Sequence, residues 1–326
     1  MERNKKIDFI KAALMFGVVL GHSITNFMNG TSCSCNCTWF IRLYDMPFFM
    51  FVSGYFLSFS LQKYSVKQLL LNKVTMVLCP TIIWALLESR GKSILGFYFL
   101  WAVFISSFVI ILTENFFLKK WLKNLCYSAL IVTLYIIDNK IFNLLYLFPF
   151  FLLGYKHYDL IEKYKFYHII IFMLGICFWK TDYTIWNADT NITHGLNVFL
   201  IDIYRLLMGF SGIVVMNILF EMIYNYCVSH DCKRLLGFSD KIGKETLGLY
   251  IFQEFVCFFI LRYAVNILEK YIGFNIFAQN QVLTVYFIAP LFAIITLLVC
   301  YKVISLIKSN KYSKILFGFK YQLKNE

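Results

Sequence analysis

Runs of apolar residues alternate with short polar segments along almost the whole chain of 326 residues. A helix of about 20 apolar residues is long enough to cross the hydrocarbon core of a bilayer. The pattern therefore predicts an all-α, polytopic membrane protein with about ten transmembrane helices. The predicted spans are 7–27, 39–61, 74–88, 93–113, 124–137, 141–155, 166–179, 198–223, 242–263 and 282–307.

Basic residues are concentrated in alternate segments between these spans. The predicted cytoplasmic segments together hold 20 Lys or Arg, whereas the predicted outer segments hold 5. Because Lys and Arg are enriched in cytoplasmic loops, the alternation predicts an even number of crossings with both termini in the cytoplasm. We therefore expect a multi-pass protein of the cell (inner) membrane. The cytoplasmic segments are 1–6, 62–73, 114–123, 156–165, 226–241 and 308–326.

The composition excludes an ordinary soluble fold. The chain is 60% hydrophobic and only 15% charged, with a mean hydropathy of +0.67, whereas soluble domains carry about 25% charged residues. The net charge of +13 follows from the basic cytoplasmic segments, so no nucleic-acid partner is predicted. The predicted organisation is a membrane domain over 1–308 and a basic cytoplasmic tail over 309–326, which would lie on the membrane surface or in solvent.

Three residues with ionisable side chains lie on the first predicted span, which lacks a signal-peptide cleavage site and is expected to be retained. Lys11 and His22 are eleven positions apart, which on a helix places them within about 20° of one another and about 16 Å apart along the axis. Asp8 falls within about 60° of both. Because charges in hydrocarbon are costly, such residues are candidates for a functional site.

The geometry of these residues suggests a reaction at the membrane. Lys11 near the inner end could hold an anionic group such as a diphosphate, while His22, deeper in the bilayer, could accept a proton from an alcohol. The structural alternative is a histidine that bonds a neighbouring helix and an interfacial Asp–Lys pair. The positions alone do not choose between these two interpretations.

Further polar residues occur within other predicted spans. Two pairs are three positions apart on a helix and could form salt bridges or bind substrate. The pairs are Arg42 with Asp45 and Asp202 with Arg205, and the remaining candidates are Ser53, Gln253 and Glu254.

The ten cysteines do not predict a metal site. Cys33, Cys35 and Cys37 cluster in one predicted outer segment, where a disulfide or metal role stays open, but their spacing is not a standard zinc pattern. A second group, Cys227 with His230 and Cys232, lies in a basic cytoplasmic segment. Most of the other cysteines lie in or beside spans and are expected to behave as small apolar residues.

Three stretches resemble, in order, motifs of the acyltransferase-3 family of bacterial membrane-bound O-acyltransferases. Lys11 and His22 match a basic residue, a ten-residue spacer and a histidine on the first span. Residues 46–55 (MPFFMFVSGY) resemble the family's second-helix motif, and residues 242–253 (IGKETLGLYIFQ) resemble a late helix motif. The likeness spans about residues 3–306. This chain has Asp45 and Gln253 where many members have histidine, which leaves His22 as the main catalytic candidate.

The resemblance implies transfer of an acyl group, usually acetyl from cytoplasmic acetyl-CoA, to a hydroxyl of a cell-surface polysaccharide or lipid-linked glycan. It implies a catalytic role for His22, as a base or a transient acyl carrier, with Asp8 positioning Lys11. Donor binding would fall to Lys11, Arg42 and Arg205. No bound cofactor is expected, and acyl-CoA, the glycan acceptor, membrane lipids and polysaccharide-assembly proteins are the expected partners. The acceptor or supporting residues would be Asp45, Ser53, Asp202, Gln253 and Glu254.

Two other functions fit the buried polar residues. A transporter or flippase for a lipid-linked or anionic sugar could use the same Lys, Arg and His side chains without chemistry. A scaffold in a polysaccharide-assembly complex would not need them. The spacing of Lys11 and His22, together with the second-helix motif, favours the enzyme.

Overall fold

The computed structural model describes residues 4–28, 36–89, 93, 97–136, 143–178, 196–307 and 316–317, and none of these residues is in a β-strand. The predicted all-α class is thus confirmed for the described part of the chain. The helices are α1 (Lys5–Phe27), α2 (Asn36–Lys63), α3 (Val66–Lys73), α4 (Cys79–Glu88), α5 (Tyr98–Phe116), α6 (Lys120–Ile136), α7 (Leu144–Lys156), α8 (Leu160–Lys163), α9 (Lys165–Ile176), α10 (Leu196–Ser229), α11 (Lys233–Lys244), α12 (Thr246–Phe255), α13 (Arg262–Ile272), α14 (Ile276–Gln279), α15 (Gln281–Leu283) and α16 (Ala289–Ile307).

Three π-helical segments join neighbouring helices into longer continuous ones. Val74–Leu78 joins α3 to α4, Val256–Leu261 joins α12 to α13, and Thr284–Ile288 joins α15 to α16. Each segment adds a local widening of the helix, a feature that recurs at functional sites. The second segment matters most here because it begins three residues after Gln253.

Six of the resulting helices are long and apolar enough to cross a membrane. The chain is therefore a membrane protein, and the count of ten crossings and the orientation of the termini stay predictions. Two shorter apolar helices, α7 and α9, overlap the predicted spans 141–155 and 166–179 in the middle of the chain. The six long helices are Lys5–Phe27, Val66–Glu88, Tyr98–Phe116, Leu200–Ser229, Thr246–Ile272 and Gln281–Ile307.

Each of the ten predicted spans overlaps a helix, but several predicted boundaries were wrong. The third span was predicted from residue 74, whereas its helix begins at Val66. Ser65 caps the start of this helix. Its hydroxyl accepts a hydrogen bond from the backbone N–H of Gln68, and the Gln68 side chain accepts one from the backbone N–H of Ser65. This reciprocal arrangement is a capping box.

The region before the ninth span also differs from the prediction. The segment 226–241, predicted as a loop, continues α10 to Ser229 and then holds most of the separate helix α11. The ninth helix begins at Thr246 instead of 242 and runs to Ile272. The sequence pattern did not predict these helices, because residues 226–244 include polar and charged residues and the prediction relied on continuous apolar runs. α11 is amphipathic, and it buries Ile242 and Gly243 while exposing its lysines.

One compact unit comprises residues 1–45 and 164–307, and α1 is its most buried long helix. In the most apolar 18-residue stretch of α1, 78% of residues are buried, compared with 50% or less in the same kind of stretch of the other five long helices. α1 packs against α10, α11, α12, α16 and the π-helical segment after α12. The side chain of Asn4 caps its first turn by accepting from the backbone N–H groups of Lys6 and Ile7.

The outer helices of this unit present apolar side chains to their surroundings. In α16, for example, Leu291 is 60% exposed and Leu306 is 78% exposed. Apolar patches of this kind are expected where protein faces lipid. The contrast with α1 indicates that α1 is surrounded mainly by protein.

The second compact unit comprises residues 46–163 and 308–326, with most of α2 and α3 to α8. α5 packs against α3, α6 and α7. Leu316 and Phe317 are the described residues of the predicted tail, and they pack on α4. There the indole N–H of Trp84 donates to the Leu316 carbonyl oxygen at 2.9 Å, and Phe317 is buried.

Glycines permit the closest helix contacts in each unit. In the second unit, a Cβ atom on Gly54 would lie 2.0 Å from the Phe151 carbonyl oxygen, and one on Gly154 would lie 1.9 Å from that of Phe51. α2 and α7 therefore approach through reciprocal glycines, as small residues allow in membrane bundles. In the first unit, a Cβ atom on Gly243 of α11 would lie 2.1 Å from the Asp8 carbonyl oxygen of α1.

We expect Gly243→Ala to destabilise the protein by about 1–3 kcal/mol, because the added methyl group would meet rigid backbone. Gly237→Ala is the matched control on the same helix, since nothing lies within 4 Å of a Cβ atom there. The better helix propensity of alanine should make that variant neutral or more stable by up to about 1 kcal/mol. Thermal unfolding in detergent measures both, and equal melting temperatures would contradict the close packing of α11 on α1.

Candidate functional site

His22 contacts the helix Thr246–Ile272 through two side chains. Its ring nitrogen Nδ1 lies 3.2 Å from Oε1 of Gln253 on α12. The ring of Phe258, in the π-helical segment after α12, meets the imidazole edge-on with ring centroids 5.1 Å apart. The late motif and the histidine of the first motif, which are 231 residues apart in sequence, are thus brought together.

The contacts of Gln253 fix which nitrogen of His22 carries the proton. The Gln253 amide nitrogen Nε2 donates to the backbone carbonyl oxygen of Tyr250 at 3.0 Å. A carbonyl oxygen cannot donate, so the amide must turn its Nε2 toward Tyr250 and its Oε1 toward His22. Because Oε1 only accepts, Nδ1 of His22 must be an N–H donor. In the neutral imidazole, Nε2 then keeps its lone pair and can act as a base or nucleophile.

Lys11 and Asp8 form an ion pair about three turns away on the same helix. Lys11 Nζ lies 3.3 Å from Asp8 Oδ1, and the Asp8 side chain is only 4% exposed. Gly243 allows the backbone of α11 to lie directly against Asp8. The sequence predicted that these residues could pair, and the structure shows the pair with its carboxylate held inside the unit.

A partly exposed polar stripe runs along α1. It is defined by Lys11, His22 and Thr25, which are half-buried and lie within about 60° of one another around the helix. The half-buried positions Ala13 and Phe16 are on the opposite side and are apolar. Because a cation facing hydrocarbon is costly, the polar stripe suits a surface turned to protein or water, and the apolar side suits packing or lipid.

Arg42 extends the polar stripe at the His22 end. Its Nη2 donates to the hydroxyl of Thr25 at 3.2 Å, and Thr25 lies about one turn beyond His22. Arg42 is therefore much closer along the stripe to His22 than to Lys11. Thr25 was missed by the sequence analysis, which considered only charged residues and histidine on this span.

The structure places the other predicted residues as follows. On α10, Arg205 Nη1 lies 3.1 Å from Asp202 Oδ1, and Arg205 is 8% exposed. Asp45 is buried on α2. Glu254 follows Gln253 on α12 and is half-buried. Ser53 belongs to the second unit, whereas the other predicted site residues belong to the first.

Two further polar groups of the first unit were also not predicted. Lys6 pairs with Glu221 of α10 at 2.7 Å, and Asn217 donates to the same carboxylate oxygen at 3.0 Å. On α9, His168 Nδ1 lies 3.3 Å from the Ser211 hydroxyl oxygen of α10. A scan of the predicted spans for every polar residue, including Asn, Ser and Thr, would have found these positions except Lys6, which precedes the first span. It would not have found their pairing.

No cluster of three or more potential metal ligands from His, Cys, Asp and Glu occurs among the described residues. Cys33 and Cys35 lie outside them, so the proposed cysteine cluster of the outer segment is not described. Cys37 is a half-buried cysteine near the start of α2.

The chain is similar to two bacterial proteins named nodulation protein NolL. The protein from Sinorhizobium fredii is 31% identical over 49% of this chain, which spans about half (50%) of that relative. The protein from Mesorhizobium japonicum is 26% identical over 77% of this chain and 76% of its own length. Both are homologues of this chain. No protein-family model and no solved structure matches it.

We expect His22 to be the Nδ1–H tautomer, because the Gln253 carbonyl oxygen requires a donor. Nitrogen NMR of the protein labelled with ¹⁵N-histidine should show His22 with Nδ1 protonated and Nε2 unprotonated. In Gln253→Leu, the ring should lose this fixed tautomer. His168 serves as the internal control, since its signals should not change. An Nε2–H tautomer in the original protein would refute the assignment.

Proposed function

We propose that the chain is a membrane-bound O-acyltransferase that moves an acetyl group from acetyl-CoA to a hydroxyl of a cell-surface polysaccharide or lipid-linked glycan. The observation that supports it most is the Gln253–His22 contact, which leaves one imidazole nitrogen with a lone pair on a helix enclosed by protein. The paired Lys11 lies on the same stripe of that helix. The resemblance to acyltransferase-3 motifs at the same residues supports this reaction class.

In the proposed reaction, the acceptor hydroxyl attacks the carbonyl carbon of the thioester. Nε2 of His22 takes the hydroxyl proton as the new C–O bond forms, and the C–S bond then breaks. The leaving thiolate takes up the proton, which restores neutral His22. In the alternative sequence, Nε2 attacks the thioester first, and the C–S bond breaks to release the thiolate. The hydroxyl then displaces the acetyl group from Nε2, and its proton passes to the thiolate.

The charged residues have separate proposed roles along the stripe. Lys11 would hold a phosphate of the donor at the cytoplasmic side, since an ammonium group is a strong partner for phosphate. Arg42, at the His22 end, would contact the transferred end of the donor. Asp8 would position Lys11 through their ion pair. Arg205 remains a proposed donor contact, and the proposed acceptor or supporting residues remain Asp45, Ser53, Asp202, Gln253 and Glu254.

We expect His22→Ala to reduce glycan esterification by at least about 100-fold, the scale of general acid–base catalysis. His168→Ala is the matched control, because it removes a partly buried histidine of the same unit that contacts Ser211 instead of Gln253. Mass spectrometry of surface glycans from cells with equal amounts of each variant measures the O-acetyl ester. Full esterification by His22→Ala would overturn the proposal, and unchanged ester with altered glycan export would favour a transporter.

We expect Lys11→Met to raise KM for acetyl-CoA about tenfold, because one charge-assisted contact to phosphate is lost. Since this change takes a partner from the buried Asp8 carboxylate, the double variant Asp8→Asn with Lys11→Met should show the same KM with better stability. Lys5→Met is the control, because Lys5 is exposed at the start of the helix. Donor titration in membranes gives KM, and an unchanged value in both Lys11 variants would remove Lys11 from the donor site.

A further inference from the structure

A cleft of about 940 Å³ lies in the second unit, apart from the residues discussed so far. It is formed at the C-terminal ends of α2, α5 and α7 and the N-terminal ends of α3 and α6. Its volume falls within the range of ligand sites, about 300–1,000 Å³. The polar residues that matter for its chemistry are Glu114, Lys120, Lys123, Asn124 and Lys156.

The charges of the cleft favour an anion. Among the residues that the structure describes, three lysines line it with one carboxylate, that of Glu114. Glu114 is already engaged, because Lys123 pairs with it and the Tyr127 hydroxyl donates to it at 3.0 Å. A single pair with Lys123 balances this carboxylate, so the positive charges of Lys120 and Lys156 remain in excess.

The ammonium groups are arranged close to one another. Lys156 Nζ donates to Asn124 Oδ1 at 2.6 Å and lies 4.4 Å from the centroid of the Tyr127 ring. Lys120 and Lys123 are both near enough to act electrostatically on Lys156. Like charges gathered in a cleft raise the local concentration of counter-ions, and the ligand that best relieves their repulsion carries several negative charges.

The predicted topology puts this cleft on the cytoplasmic side. Residues of the predicted cytoplasmic segments 62–73, 114–123 and 156–165 contribute to its lining. These lysines entered the sequence analysis only as markers of orientation. Brought together at the N-terminal end of α6 and the C-terminal end of α7, they form a site that a soluble cytoplasmic ligand could reach without crossing the bilayer.

We propose that this cleft binds the phosphate groups of an anion from the cytoplasm, and that the nucleotide end of the acyl-CoA donor is that anion. The second clause rests on the proposed acyltransferase function. Coenzyme A carries phosphate at two separate positions, so it supplies the several negative charges that the excess lysines of the cleft favour. The other source of the same chemistry is the headgroup of an anionic phospholipid.

The test compares two neighbouring lysines in the full chain, purified into nanodiscs of zwitterionic lipid. Lys120→Glu reverses a charge that lines the cleft, and Lys119→Glu reverses an exposed charge beside it that does not. Binding of coenzyme A is measured by calorimetry. We expect Lys120→Glu to weaken it at least about tenfold, and Lys119→Glu to leave it within about twofold. Binding to the original protein should also weaken as salt is added.

Two further variants and a measurement of bound lipid distinguish between the possible ligands of the cleft. Lys120→Gln and Lys156→Gln, with melting temperatures near that of the original protein, should each weaken binding by a smaller factor. After reconstitution with anionic phospholipid, native mass spectrometry counts the lipid molecules that the protein retains. If Lys120→Glu loses bound lipid and Lys119→Glu does not, the cleft is a phosphate site that binds lipid headgroups. Equal coenzyme A affinity and equal lipid retention in Lys120→Glu and Lys119→Glu would overturn the inference.

The outcome for the cleft is distinct from that for the proposed function. If Lys120→Glu binds coenzyme A normally and glycans still carry His22-dependent esters, the inference about the cleft fails and the acyltransferase proposal stands. If the protein binds no coenzyme A and His22→Ala leaves the esters intact, both fail.

Discussion

A helix that carries Asp8, Lys11 and His22 into a bilayer is stable only if protein or water surrounds those side chains, because an ionised group in hydrocarbon costs several kcal/mol. The structure meets this constraint by placing α1 among other helices of its unit, with 78% of its apolar window buried. The surrounding helices have to approach closely, which explains why Gly243 packs on the backbone at Asp8. They also have to supply hydrogen-bond partners, which Gln253 and Arg42 do.

The apolar pattern was sufficient to predict the class of fold and the approximate place of the helices. Each predicted span overlaps a helix, and the misplaced boundaries lie where helices contain polar residues, as in Val66–Lys73 and Lys233–Lys244. There the helix is set by a capping box or by one buried face, and neither appears as a continuous apolar run. The π-helical segments could not be predicted, because residues 256–261 have the same apolar character as an ordinary span.

The positions of candidate site residues were more predictable than their partners. Helical spacing alone predicted that Asp8 could pair with Lys11 and Asp202 with Arg205, since both partners lie on one helix. The contacts of His22 with Gln253 and of Arg42 with Thr25 join different helices, so they depend on packing that spacing does not give. Gln253 stands where many members of the acyltransferase-3 family have a second histidine, which is a departure from the family pattern. In the structure it is the residue that sets the tautomer of His22.

The central physical claim is that the polar stripe of α1 faces protein or water and not hydrocarbon, whereas the opposite side is apolar. The most direct test places a spin-labelled unnatural amino acid at Thr25 or at Phe16 and measures its paramagnetic relaxation. Each label is measured once with a water-soluble nickel chelate and once with oxygen, which concentrates in lipid. The label at Thr25 should respond more to the nickel chelate, and the label at Phe16 more to oxygen. If the label at Thr25 instead responds mainly to oxygen, the stripe faces hydrocarbon, and the account of His22 and Lys11 as a functional site is contradicted.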